Sequence, residues 1–236
     1  MADDEEKKSK GGCIGKLFGL LVFLVIAGLG TAIYFISQPQ DLSDIEGYSL
    51  VGDGQSGVSP PRDLEAVLKK SVEGDYSVVI TEKEINQMLA RDLKTKQAGY
   101  LGKWISIKRV LVRLKEDVAE VIVVREIQGY ELTTSMFLQV EQVESQEGIK
   151  TMAHLHGGSY HEMLPVPTRG GHYGKLTVPQ GFLILVMPEF RKIAEVFESE
   201  LEIGFQRMSR FKIEDKRLKL DPNPPSREAD FGESGF

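Results

Sequence analysis

Hydrophobic positions follow three patterns along this chain, and each predicts a different kind of element. The first is an unbroken run, Leu17–Ile36 (LFGLLVFLVIAGLGTAIYFI), twenty residues with no charged side chain. At about 1.5 Å per residue it makes a helix of roughly 30 Å, the hydrocarbon thickness of a bilayer. In lipid, only a helix lets such a segment satisfy its own backbone N–H and C=O groups.

The second pattern is helical spacing. Leu64, Val67, Leu68 and Val72 recur at that spacing behind Asp63, a suitable N-cap, and Tyr76–Ile80 is a short β-prone run. In Ile80–Ala90 (ITEKEINQMLA), Thr81 and Glu84 form a capping box, and Ile80 and Ile85 can close a hydrophobic staple over it. Ile85, Met88, Leu89 and Leu93 give one apolar face. The box is a structural device, so neither Glu82 nor Glu84 is assigned a catalytic role.

From Trp104 to about Tyr160 the period becomes two, the third pattern. Trp104–Ile107 alternates, and Val110, Val112 and Leu114 continue on the other parity, which predicts a bulge near Lys108-Arg109. Val118–Ile127 is a second strand, apolar on both faces at its centre, broken by Gln128-Gly129. In Leu132–Val140 one face carries Leu132, Thr134, Met136, Leu138 and Val140; Thr133, Ser135, Phe137 and Gln139 take the other. Ile149–His156 alternates again after a turn at Glu144–Gly148. Consecutive strands with short turns predict an antiparallel meander with one packed face and one partly solvated face. Pro165–Gly174, with three glycines, is expected as a loop able to lie over a groove. Phe182–Met187 is too short to span a bilayer. Beyond Pro188, one helix is expected with Phe190, Ile193, Ala194, Phe197 and Leu201 on one face. Phe211–Leu220 turns at Glu214-Asp215 as the closing β element.

The expected organisation is a cytoplasmic tail (1–16), a transmembrane helix (17–36), a flexible linker (37–61), an extracytoplasmic α+β domain (62–220) and a disordered tail (221–236). The fold class is α+β: a single membrane helix, then a curved antiparallel sheet packed on two or three helices. The domain's roughly 160 residues are enough for a proper core.

Charge gives the anchor a direction. The chain carries a net −6, but in the first 36 residues four acids balance Lys7, Lys8, Lys10 and Lys16, so the surplus lies beyond the anchor. Ser37–Pro61 has four acids and no Lys or Arg. Lysine on one side only predicts an N-terminus in the cytoplasm and the bulk of the chain outside. A cleaved signal peptide competes with this reading through the small residues Gly30-Thr31-Ala32, but apolar residues continue through Ile36. An acidic domain argues against nucleic acid or anionic headgroups as its main partner. The only cysteine, Cys13, precedes the span, so the domain has no disulfide. Cys13 is either a palmitoylation site or incidental, and Gly11, Gly15 and Gly19 offer only a partial small-residue contact motif.

Candidate chemistry is sparse. All four histidines fall in His154–His172. His154 and His156, two apart on a strand, face the same side and with His161 or Glu162 are a candidate zinc set. The competing reading is a solvated strand face shared with Lys150 and Met152. No HExxH helix, nucleophile elbow or phosphate-binding glycine loop is present, and no cofactor is called for.

The T-E-x-E-I-N-x-x-L stretch within Ile80–Leu89, a long meander, a V-P-led helix and a closing strand, all behind a membrane anchor, resemble small bacterial membrane-anchored domains of the YpmS-like type. Those in turn resemble the tubular lipid-binding (TULIP) superfamily. The resemblance covers roughly Asp75–Leu220. It implies a curved sheet wrapped round a helix with an apolar groove for an acyl chain, and Leu176, Val178, Phe182, Leu183, Leu185 and Val186 as groove residues. The functional expectation is a non-catalytic envelope protein binding a lipid or other apolar ligand. The alternatives are an assembly module with envelope protein partners and, third, a zinc enzyme using His154, His156 and His161.

Overall fold

The computed structural model describes residues 12–47, 62–97, 107–127, 129–145, 148–161 and 163–224. The uncharged run lies within one long helix, α1 (Gly12–Ser37), and Gly15–Ser37 is long and apolar enough to cross a membrane. Its side chains are almost all exposed. Beyond α1 the chain forms an α+β fold in which every strand pairing is antiparallel. In order it runs α2 (Leu64–Glu73), β1 (Val78–Thr81), α3 (Glu82–Gln97), β2 (Ile107–Lys115), β3 (Val118–Ile127), β4 (Tyr130–Ser145), β5 (Gly148–Leu155), β6 (Ser159–His161), β7 (Leu164–Tyr173) and β8 (Leu176–Pro179). A 3-10 helix (Gln180–Leu185), α4 (Met187–Val196), α5 (Glu198–Gln206), β9 (Arg210–Glu214) and β10 (Arg217–Asp221) complete it. Among the described residues, β1, β10 and β9 form a small sheet. The larger sheet has the order β2-β3-β4-β7-β6, with β5 also on β4 and β8 on β7.

The local signals operate as expected. Asp63 accepts from the Ala66 N–H at the start of α2. The Thr81 hydroxyl accepts from the Glu84 N–H (3.2 Å), and Glu84 Oε2 accepts from the Thr81 N–H (2.9 Å), the two halves of a capping box. The β2–β3 register slips between Ile107 and Arg109, where the change of parity placed a bulge.

Four expectations are corrected. Pro165–Gly174 is not a loop but most of β7. Its glycines are there for close approach: a Cβ on Gly171 would overlap the Ser135 carbonyl, and one on Gly170 the Gln180 backbone. The single helix after Pro188 is two, broken at Phe197, which ends α4 and precedes α5. Residues 221–224 are ordered by contact, with the Asn223 side chain donating to the Asp75 carbonyl (2.9 Å). The largest change concerns the linker: residues 38–47 are docked on the domain, with Leu42 and Ile45 buried. Expectations for residues 1–11, 48–61, 98–106, 128, 146–147, 162 (Glu162 of the candidate zinc set) and 225–236 lie outside the described residues.

This docking explains why β3 is apolar on both faces. Val110 and Val123 enter the main core under the helices, whereas Leu111, Ile122 and Val124 point the other way, into a second cluster with Leu42 and Ile45. Beside that cluster the covered face is polar. Arg113 and Glu120, register partners across the β2–β3 hairpin, pair at 2.6 Å, and Arg113 also reaches Asp44 (2.8 Å) and the Asp41 carbonyl (2.7 Å). Glu120 accepts from the Ser135 hydroxyl (2.6 Å) and contacts His172 Nδ1 (2.9 Å). Burial alone would raise the Glu120 carboxyl, but the hydrogen bonds from His172 and Ser135 and the Arg113 charge outweigh it and hold its pKa at about 2.

The edge of the larger sheet is closed by α3. The Asn86 amide accepts from the Val112 N–H (2.7 Å) and donates to the Val112 carbonyl (2.9 Å), as a neighbouring strand would, and its second hydrogen goes to the Glu46 carbonyl (2.8 Å). Fully buried Glu82 accepts from the Leu114 and Glu46 N–H groups (2.7 Å each), with the Lys216 ammonium 3.1 Å away. One turn of helix thus ties the segment leaving α1 to the sheet edge. The other end of that segment is fixed too: the β7–β8 turn donates the Lys175 N–H to the Phe35 carbonyl (3.0 Å). Gly174 packs on the carbonyls at the end of α1 with φ +55°, where a Cβ would clash.

Candidate functional site

The amphipathic faces of the helices meet the sheet and do not fill the space between them. A cavity of about 260 Å³ lies among Leu64 and Leu68 of α2, Met88 and Leu89 of α3, Val110, Val121 and Met136 of the sheet, and Phe190, Ile193 and Phe197 around α4. Its roof is α5, through Leu201, Gly204 and Phe205. Except for Glu200 every lining residue is apolar or glycine. The hollow has a sequence cause. Two of the lining positions are small, Ala194 and Gly204, and, its own helix backbone and chain neighbours aside, nothing lies within 4 Å of where a Gly204 Cβ would stand.

The cavity abuts a wider open groove of about 740 Å³ along Met136, Leu138, Phe190, Ala194, Leu201 and Phe205. Ala153, Leu155 and Met187 extend its apolar floor, while Arg191, Glu195, Glu198 and Glu202 stand at its polar margin. Together they have the size of a small-molecule site, roughly 300–1,000 Å³. A dry apolar cavity of this kind favours an apolar guest, since water there would find no hydrogen-bond partners. In the first turn of α4, Arg125 of β3 donates to the buried Glu189 (2.6 Å) and so fixes the helix against the sheet.

None of the six groove residues expected from sequence lines either space. Val178 and Leu183 are buried in the core, and Leu176 and Val186 pack against it half-buried. Phe182 (56% exposed) and Leu185 (73% exposed) face outward with Ile184. The reason is the helix type. With three residues per turn, the 3-10 helix puts Leu183 and Val186 on one side and leaves the intervening residues outside. The apolar run contributes one anchoring leucine, not a groove wall.

The histidines separate as well. His154 is half-exposed, with Nε2 3.3 Å from Glu141. His156 and His161 each accept a backbone N–H two residues on, from Gly158 (3.1 Å) and Met163 (3.3 Å). His172 lies in the polar network with Glu120. Among the described residues, no three His, Cys, Asp or Glu side chains are placed to hold a metal ion.

Sequence reasoning missed the cavity because its walls come from ten separate elements. It also missed the roles of Glu82 and Asn86, although both sit one helical turn apart on the stretch with the strongest local signal. No family model matches the chain, and no curated protein matches it in sequence.

Proposed function

We propose that this protein is a non-catalytic, membrane-anchored binding protein that takes an acyl chain or similar apolar ligand into the hollow beneath α4 and α5. In this reading α1 crosses the bacterial cytoplasmic membrane with its N-terminus inside, and the α+β domain works on the extracytoplasmic side. The observation that carries it is the cavity: a half-open apolar hollow continuous with an open groove, in a domain whose sheet edge is otherwise closed by α3. The resemblance to YpmS-like and tubular lipid-binding domains supports the same reading. The ligand site in this reading is the α2–α5 cavity, and the groove residues that the resemblance implies, Leu176, Val178, Phe182, Leu183, Leu185 and Val186, lie outside it.

The test is lipid extraction and mass spectrometry of the full chain purified from membranes in mild detergent, beside the variant Gly204→Leu. The expected result is a co-purifying lipid near one per protein in the parent chain and its loss in the variant. A folded parent chain free of lipid overturns the reading, and so does a lipid that Gly204→Leu retains. The first of these results would leave an envelope assembly module as the better account.

A further inference from the structure

The 3-10 helix exposes Phe182, Ile184 and Leu185 next to one another on the surface, and nothing among the described residues covers them. Their position relative to α1 is fixed by bonding. The β7–β8 turn is hydrogen-bonded to the last turn of α1 through Lys175 and Phe35. Strand β8 has only four residues, so the 3-10 helix begins within about 13 Å of that turn. The Tyr173 hydroxyl donates to the Phe182 carbonyl (2.5 Å), which folds the helix back beside the turn and not away from it. The exposed trio is therefore held close to the point where α1 ends.

Charge narrows what can cover it. In a chain of net −6, residues 163–188 contain no Asp or Glu and carry Arg169 and Lys175, both exposed. The segment's own charges are both cationic, with Asp41 of the docked segment near Lys175 as the acid facing it. An apolar trio with these cations suits the headgroup layer, where apolar side chains enter the acyl boundary and Lys or Arg meets phosphate. The 23 residues Gly15–Ser37 span about 35 Å as a helix, slightly more than the hydrocarbon core, so the end of α1 and the turn bonded to it emerge at headgroup level.

We propose that the 3-10 helix is a second membrane contact: Phe182, Ile184 and Leu185 insert into the interface of the same bilayer that α1 crosses, flanked by Lys175 and Arg169. The inference rests on the reading of α1 as a membrane span. With the docking of residues 38–47, it makes α1 and this helix two points of a fixed platform, which sets the domain's orientation on the lipid surface.

The test uses the full chain with Cys13→Ser, so that one introduced cysteine takes an environment-sensitive fluorophore. The sites are Ile184→Cys, Leu24→Cys in the middle of α1, and Lys212→Cys on exposed β9 as an aqueous control. Each is reconstituted in phosphatidylcholine vesicles with and without brominated acyl chains, and probed from the water with iodide. The expected result is strong bromolipid quenching and iodide protection at 24 and 184, and the reverse at 212. Lipid quenching at 24 with iodide access at 184 overturns the second contact and leaves the span standing. Lipid quenching at neither site overturns both. Iodide protection at 184 without bromolipid quenching means that protein covers the trio, and that also overturns the inference.

Discussion

Replacing Asn86 by Leu removes three hydrogen bonds at a site that is fully buried. The side chains are similar in size, so packing changes little and the polar groups left behind decide the cost. The Val112 N–H loses its acceptor; a buried unpaired donor costs about 1–3 kcal/mol. The Val112 and Glu46 carbonyls each lose a donor, a smaller penalty because an under-satisfied carbonyl is better tolerated. The sum is roughly 3–4 kcal/mol, a large part of the stability of an ordinary domain. In urea titration of the detergent-solubilised chain followed by circular dichroism, the midpoint should fall with little change in slope. Because the Glu46 carbonyl is freed, residues 38–47 should also become a new site of limited proteolysis. Asn86→Asp keeps an acceptor for Val112 but sets a carboxylate against two carbonyls. Its folded pKa is thereby raised, so its deficit should be smallest in acid and grow as pH rises. If Asn86→Leu costs less than about 0.5 kcal/mol and 38–47 stays protected, α3 does not cap the sheet edge as described.

Three further outcomes rest on the same geometry. Gly204→Leu should be neutral or stabilising: the glycine's helix penalty of about 1 kcal/mol disappears and the new side chain has empty space to occupy, so thermal unfolding should not fall while ligand is lost. Glu120 has its folded pKa depressed to about 2 from an ordinary 4.5, so its contribution of about 3 kcal/mol is complete above pH 4.5 and disappears as pH falls toward 2. The unfolding midpoint of the parent chain should decline through that window, and that of Glu120→Gln should decline less. Gly171→Ala drives a Cβ into the Ser135 backbone at the β7–β4 approach, which no rotamer relieves, and should lower the melting temperature more than Gly181→Ala, where the space is open.

What the sequence determined by itself was whatever a few neighbouring residues decide. The length of α1, the Asp63 cap, the Thr81–Glu84 box, the bulge before Arg109 and the limits of β3 all depend on contacts within a turn or across one hairpin. Even the Arg113–Glu120 pair was accessible in principle, since a turn at Glu116-Asp117 sets it in register. The meaning of small and polar residues was different, because each depends on what lies opposite. Gly170 and Gly171 looked like loop residues and are instead glycines pressed against another backbone. Asp41 and Asp44 looked like tether residues and are bound to the domain through Arg113, by the Asp41 carbonyl and the Asp44 carboxylate. Phe182–Val186 looked like a groove wall, yet a 3-10 turn aims most of it outward. The cavity is the clearest case. It exists only where α2, α3, α4, α5 and six strands of the two sheets converge, and the small side chains that create it carry no local signal. Packing against distant segments, which no local pattern encodes, left an apolar hollow between the helices and the sheet.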